Sequence, residues 1–245
     1  CTPMERIPTA FNQQRTAPGT ISVPPSTTAQ QQQIVQPPTD RLPSIACTNA
    51  RSICNKIFAT NALLADSQES IICITETWMT PSNKTTILGQ INAPYTIFTR
   101  ERDAMRGGGI LVAISNAYAT AAQCKVIEIT RPALRDNEEQ KALLDKIEYL
   151  AIRIKPTRLP RGYSSCLVLA VYAPVWSGTD CAGASFLLQQ LVAEAASACT
   201  GSHKPLIIVA GDFNGLKGLN IGQLCKTHDL HQLLSLIHIS QGIVR

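Results

Sequence analysis

From residue 42 onward the chain is organised as short apolar runs separated by polar stretches, whereas the preceding segment has no such pattern. Residues 44–48 read as a first strand, and 49–66 as a helix placing Ile53, Ile57, Ala62 and Leu64 roughly on one side. Residues 70–75 form an apolar, β-branched run bounded by Glu76. Tyr95–Arg100, 109–115 and 124–129 read as successive strands, with a glycine turn at Gly107 and Gly108 between the first two. The charged segment 135–146 is expected to be a surface loop or short helix. Strand Glu148–Ile154 follows, then a buried strand Cys166–Tyr172 and a helix over 184–198 that ends near Gly201. An apolar strand at 205–210 and a final amphipathic helix from about Asn220 complete the reading. Strands outnumber helices and several are apolar on both faces, which predicts an α/β fold built as a layered β-sandwich flanked by helices.

Residues 1–43 are dominated by Pro, Gln, Thr and Ser, including the run Gln30 to Gln33 and the pair Pro37 and Pro38. Such a segment buries too little apolar surface to offset the entropy of ordering it. It is expected to be a disordered leader or linker, with 44–245 as the folded domain. The leader carries Arg6, Arg15 and Arg41 against Glu5 and Asp40, so +4 of the formal net charge of +5 belongs to the domain.

At 245 residues and 44% apolar content the chain is long enough for a sizeable core. A pI near 8.8 suits a polyanionic partner, yet charged residues make up only 16% of the chain, which excludes a strongly basic DNA-coating protein. Nine cysteines without a Cys-x-x-Cys pair indicate neither a disulfide scaffold nor a zinc ribbon. Cys73 and Cys166 lie within apolar runs and read as small buried hydrophobes, so a reducing, intracellular setting is expected. No apolar stretch approaches the length of a membrane span, and no membrane partner is expected.

Chemistry concentrates where apolar runs stop. Asn49 follows one run, Glu76 a second, and Asp212 with Asn214 a third. A rigid strand can aim such side chains into a shared cleft. Converging carboxylates and an amide offer hard oxygen ligands to a Mg²⁺-like ion that keeps its waters and engages phosphates. Taken singly, each acid reads as well as a solvated turn residue or helix cap. Gly211-Asp212-Phe213-Asn214 is more pointed, because polar side chains two apart on extended backbone face the same way.

Five motifs then stand in order: Thr48-Asn49-Ala50-Arg51-Ser52-Ile53, Ile74-Thr75-Glu76-Thr77-Trp78, Arg106-Gly107-Gly108-Gly109-Ile110, Val171-Tyr172-Ala173-Pro174 and Gly211-Asp212-Phe213-Asn214. In order and spacing the chain resembles the endonuclease domain of LINE-type non-LTR retrotransposons, a branch of the endonuclease/exonuclease/phosphatase superfamily similar to apurinic endonucleases and deoxyribonuclease I. The resemblance implies a DNase I-like sandwich that nicks DNA with Mg²⁺ or Mn²⁺ and acts in the nucleus. The nick would prime reverse transcription, with the element's RNA reaching the protein through a downstream polymerase. It further implies Glu76 as principal metal ligand with Asn49 beside it, and Asp212 as the group that orients or activates the attacking water. Asn214 and Tyr172 would hydrogen-bond the scissile phosphate. Tyr172, an aromatic before Ala-Pro, fits core packing and phosphate contact alike. The triple glycine is a family marker that physically reads as a plain hairpin turn, since no Lys-Ser/Thr follows to make a nucleotide loop.

The family pattern continues to a further catalytic Asp and a Ser-Asp-His motif, neither of which can be placed here; His228, His231 and His238 follow Asn214 too closely and read as surface or capping residues. With Cys1 in first position, the expectation is a domain incomplete at its C-terminus and weak or inactive as it stands. Two other functions fit the residues: the same fold acting on abasic DNA, RNA or a phosphoinositide, and a degenerate nucleic-acid-binding module. Arg153, Lys155, Arg158 and Arg161 would serve the second, but without interleaved aromatics they read rather as a solvated charged hairpin.

Overall fold

The computed structural model describes residues 42–102, 107–129, 145–174, 180–199 and 204–214, together with 142, 225, 226 and 230. The chain divides into two units, Cys1–Pro37 and Pro38–Arg245, and every element below belongs to the second. The leader expected over 1–43 lies outside the described residues up to position 41.

Eight strands build two sheets of four. The first contains β1 (Ile45–Asn49), β2 (Ile71–Thr75), β3 (Tyr95–Arg100) and β4 (Ile110–Ser115) in the order β1-β2-β4-β3. The second contains β5 (Cys124–Val126), β6 (Glu148–Ile154), β7 (Cys166–Tyr172) and β8 (Leu206–Asp212) in the order β5-β6-β7-β8. Each sheet has one parallel pair at an edge, β1 with β2 and β7 with β8, and is otherwise antiparallel. Helices α1 (Ile57–Asp66) and α2 (Lys84–Leu88) lie in the first half, and α3 (Asp180–Ser197) connects β7 to β8. A helical crossover is what a parallel pair requires, and α1 and α3 supply it.

Alternation along the strands sorts the core into layers. Ile71 and Cys73 of β2, Val112 and Ile114 of β4, Ile152 and Ile154 of β6 and Val168 and Ala170 of β7 pack together between the sheets. Their neighbours point outward: Ile72, Ile74, Leu111 and Ala113 meet Ile53, Leu64 and Ile87 on one side. On the other, Ala151, Leu167, Leu169 and Val171 meet Leu187, Leu188, Leu191 and Val192 of α3. Both faces of the central strands are therefore covered, which is why their sequences are apolar runs rather than alternating patterns. Each such Leu, Ile or Val contributes roughly 1.5–3 kcal/mol by leaving water. The expected layered sandwich flanked by helices is thus the observed architecture.

Several expected boundaries move. The helix over 49–66 begins only at Ile57. Asn49 still belongs to β1, and the N–H groups of Ala50, Ser52 and Ile53 donate to the carbonyls of Thr75, Glu76 and Thr77, which keeps this stretch out of a helix. Ile53 is buried, but from a loop. The strand over 124–129 closes at Val126, with one further bond from Ile127 N to Ala151 O. The last strand runs to Asp212 instead of stopping at Ala210. It does so because Gly211, at φ +138, presses so closely on Val171 that a Cβ there would collide with its backbone. Helix α2 was not read from the sequence at all. The expected helix from about Asn220 lies outside the described residues except at Cys225 and Lys226, which are helical, and Leu230, which is not, and most of 135–146 lies outside them too. Among the described residues no helix is long and apolar enough to cross a membrane.

Candidate active site

One end of the sandwich collects the polar residues, and the ladders dictate which. Strands β1 and β2 are parallel and in register, so Asn49 stands beside Thr75 and one residue short of Glu76. Strands β7 and β8 are parallel too, and bring Tyr172 opposite Asp212. The antiparallel β4 and β6 start at this same end, so Gly109 and Glu148 arrive there as well; Glu148 is the register partner of Tyr172.

The amide of Asn49 joins the sheets. Its Nδ2 donates to Glu76 Oε1 at 2.7 Å and to Asp212 Oδ2 at 2.7 Å. Its Oδ1 accepts the N–H of Arg51 at 3.0 Å, which fixes the amide's direction, since a flipped amide would set donor against donor. Asp212 Oδ1 accepts the N–H of Asn214 at 3.1 Å, and Asn214 Nδ2 donates to Ala173 O at 2.9 Å. Asn214 thereby ties the turn after β8 to the turn after β7.

Backbone strain gathers on these segments. Among the described residues the non-glycine positions with positive φ are Arg51, Ser52, Glu76, Trp78 and Asn214. All lie on the three loops that leave β1, β2 and β8. Each costs roughly 1–3 kcal/mol and persists only because its surroundings over-determine it. Glu76, at φ +51, is held from both sides. Ser52 N and Ile53 N donate to the carbonyls of Glu76 and Thr77 at 2.7 and 3.0 Å. On the opposite flank Thr77 N and Trp78 N donate to the carbonyls of Gly109 and Gly108 at 3.3 and 2.9 Å. The glycine segment is therefore more than a plain hairpin turn: Gly107, Gly108 and Gly109 all have positive φ, and Gly108 and Gly109 lend their carbonyls to the loop that leaves β2.

Tyr172 is half-buried between the acids. Burial, and then the charges of Glu76, Asp212 and Glu148, push its phenol up to about 12 against the opposing pull of Arg102. It is thus a neutral hydroxyl throughout the physiological range, and can donate a hydrogen bond where three carboxylates cannot.

Glu148 escaped the sequence reading. It is buried, accepts the N–H of Gly109 at 2.5 Å and lies 3.0 Å from Arg102 Nε in an ion pair. Burial raises its carboxyl, Gly109, Arg102 and Arg100 hold it down, and the Glu76 charge raises it again. The available clue was positional: a lone acid opening an apolar strand that runs antiparallel to the one ending at Tyr172.

The basic run belongs elsewhere. Strand β6 begins at Glu148 and ends at Ile154, so Arg153, Lys155, Arg158 and Arg161 sit at the far end of the sandwich, about 20 Å away at strand rise. Lys155, Arg158 and Arg161 are exposed, as a solvated hairpin requires, but Arg153 Nε is buried without a hydrogen-bond partner. Nearer the site, Arg51 and Lys56 are exposed on the loop after Asn49.

The donor set suits a small hard cation. Glu76 and Asp212 supply carboxylate oxygens, and an ion that retains most of its waters needs only one or two protein carboxylates. Among the described residues no group of three or more His, Cys, Asp and Glu is placed to hold a metal. Asn49 turns its N–H bonds, not its oxygen, towards the acids. In this arrangement it orients the two acids.

No family model matches the chain, and no curated protein matches it in sequence. Solved structures do resemble it in fold. A functionally unknown conserved protein from Enterococcus faecalis V583 is 16% identical with a TM-score of 0.51, over 75% of this chain and 71% of that one. The apurinic (AP) endonuclease LMAP from Leishmania major is 12% identical with a TM-score of 0.49, over 74% of this chain and 65% of that one. An AP endonuclease from Archaeoglobus fulgidus is 15% identical with a TM-score of 0.43, over 70% of this chain and 57% of that one. The chain thus spans less than two thirds of the length of either AP endonuclease. At these identities the likeness is one of fold: a mixed α/β sandwich of two sheets and flanking helices.

Proposed function

We propose that this domain is a divalent-metal-dependent nuclease that hydrolyses DNA phosphodiester bonds, of the kind that LINE-type retrotransposons use to nick a target site. The observation that carries the reading is the Asn49 amide set between Glu76 and Asp212, 2.7 Å from each, at the joint of two sheets. Two acids drawn together from distant parts of the chain, with strained backbone around them, are costly as mere scaffolding and useful for phosphoryl chemistry. The five ordered motifs that resemble the retrotransposon endonucleases support the finer assignment.

In this reading Glu76 holds a Mg²⁺ or Mn²⁺ ion, which when bound supplies a Lewis acid for a phosphoryl oxygen. Asp212 takes a proton from the attacking water through a carboxylate already aligned by Asn49 and by the Asn214 N–H. The Tyr172 hydroxyl, kept protonated, donates to the scissile phosphate as charge builds on it. Asn214 has one amide hydrogen beyond the bond to Ala173 and can direct it to the same group. Arg51 and Lys56, exposed beside Asn49, meet the DNA backbone as point charges.

Conversion of supercoiled plasmid to nicked circle, with and without Mg²⁺ and in wild type and Glu76→Ala, tests this. Metal-dependent nicking, slow in this chain and lost in the variant, is expected. Equal nicking by both, or none by either on intact, abasic and single-stranded DNA, would sink it.

A further inference from the structure

Glu148 lies outside the five motifs, yet its carboxylate reaches the backbone that holds Glu76. It accepts the Gly109 N–H and packs so tightly under Gly108 that a Cβ there would collide with it. Gly108 and Gly109 in turn offer their carbonyls to Trp78 N and Thr77 N, the two amides that follow Glu76. A Cβ on Gly109 would likewise collide with Thr77 Oγ1, so the two segments approach more closely than side chains normally permit. Arg102 closes the carboxylate's other side at 3.0 Å.

We propose that Glu148 is a positioning residue: by bracing Gly108 and Gly109 it fixes the positive-φ backbone of Glu76, and so the direction of that carboxylate. An acid buried at 8% exposure is a poor choice for packing alone, because desolvation works against its charge. Its place is understandable as a rigid acceptor for an N–H that the glycine turn would otherwise leave unpaired. Arg102 then compensates the charge. The effect on catalysis rests on the nuclease reading above; the effect on the backbone does not.

Glu148→Asp and Glu148→Gln separate reach from charge. Aspartate keeps the charge but falls one methylene short of Gly109, whereas glutamine loses the charge but can still accept its N–H. Amide hydrogen exchange at Gly109, Thr77 and Trp78 reads the brace directly, with amides in the middle of β4 and β7 as internal reference. Glu148→Asp and Glu148→Ala are expected to speed exchange at those three positions selectively, and Glu148→Gln to leave most protection in place. In the nicking assay kcat should fall about 10–100-fold for Glu148→Asp, as for other residues that orient a metal ligand, with KM for DNA little changed. The inference is overturned if Glu148→Gln loses the protection while Glu148→Asp keeps it, or if exchange rises equally across all strands. Should wild type fail to nick, the nuclease reading falls and the exchange comparison still decides the brace.

Discussion

Asn49 and Asp212, 163 residues apart, meet through one hydrogen bond of 2.7 Å that spans the two sheets of the sandwich. Removing the amide takes one donor from each of two part-buried carboxylates, leaving Asp212 with the Asn214 N–H alone among the bonds described. Asn49→Ala should therefore destabilise the domain by about 1–3 kcal/mol, the range for stripping a buried acceptor of its partner. Chemical denaturation with a second probe near β2 checks it. A loss under half a kilocalorie, within ordinary surface scatter, would mean that the acids are well solvated and the bridge incidental.

Tyr172 carries a pH dependence. Its phenol is raised to about 12 by burial and by Glu76, Asp212 and Glu148. Because the folded value lies above the unfolded one near 10, its contribution to stability is intact below about pH 10 and is lost as pH climbs towards 12. Phenolate absorbance should show a late ionisation step at high pH, and Tyr172→Phe should delete it. In the nicking assay the same variant should cost about 100-fold in kcat at neutral pH, as loss of a donor to a transition-state oxyanion does. An unchanged kcat would return Tyr172 to a packing role.

Much of this arrangement could be read from the chain. The ends of β6 and β7 fall where the apolar runs do, because a strand covered on both faces is a nearly unbroken run. The expected site residues Asn49, Glu76, Tyr172, Asp212 and Asn214 all reach one end of the sandwich, since strands fix direction and their ends fix position. What one dimension hides is the use made of backbone. Residues 50–57 have helix-like apolar spacing at Ile53 and Ile57, yet Ala50, Ser52 and Ile53 bond to the carbonyls of Thr75, Glu76 and Thr77, which no local rule foresees. The glycine turn looked sufficient in itself as a hairpin, and only the register of β4 against β2 shows its carbonyls serving Thr77 and Trp78. Beyond its place at the start of an apolar strand, nothing local marks Glu148, whose partner is a backbone N–H 39 residues earlier.

Gly108 gives a direct stability test of that turn. At φ +69, with a Cβ directed into the Glu148 carboxylate, alanine is penalised both by conformation and by collision. Gly108→Ala should cost at least about 1–3 kcal/mol, the scale of a forced left-handed residue, before any clash is counted. Gly162, also at positive φ but with nothing within 4 Å of a Cβ, serves as the control. Gly162→Ala should lose only the conformational part. Equal losses at both sites would show that contact with Glu148 adds nothing.

A bound cation should register as stability even where turnover is not measured. A ligand that binds only the folded state raises stability by about 2.7 kcal/mol at one hundred times its Kd. Mg²⁺ or Mn²⁺ should therefore raise the melting temperature of wild type, with Ca²⁺ and Na⁺ at matched ionic strength as controls for screening. Glu76→Ala should abolish the rise. Asn49→Ala should reduce it without abolishing it, because the amide aligns the acids and does not offer them an oxygen. If Asn49→Ala removes the metal response as fully as Glu76→Ala does, the amide must rotate to ligate the ion, and its bond from Arg51 N must break on metal binding.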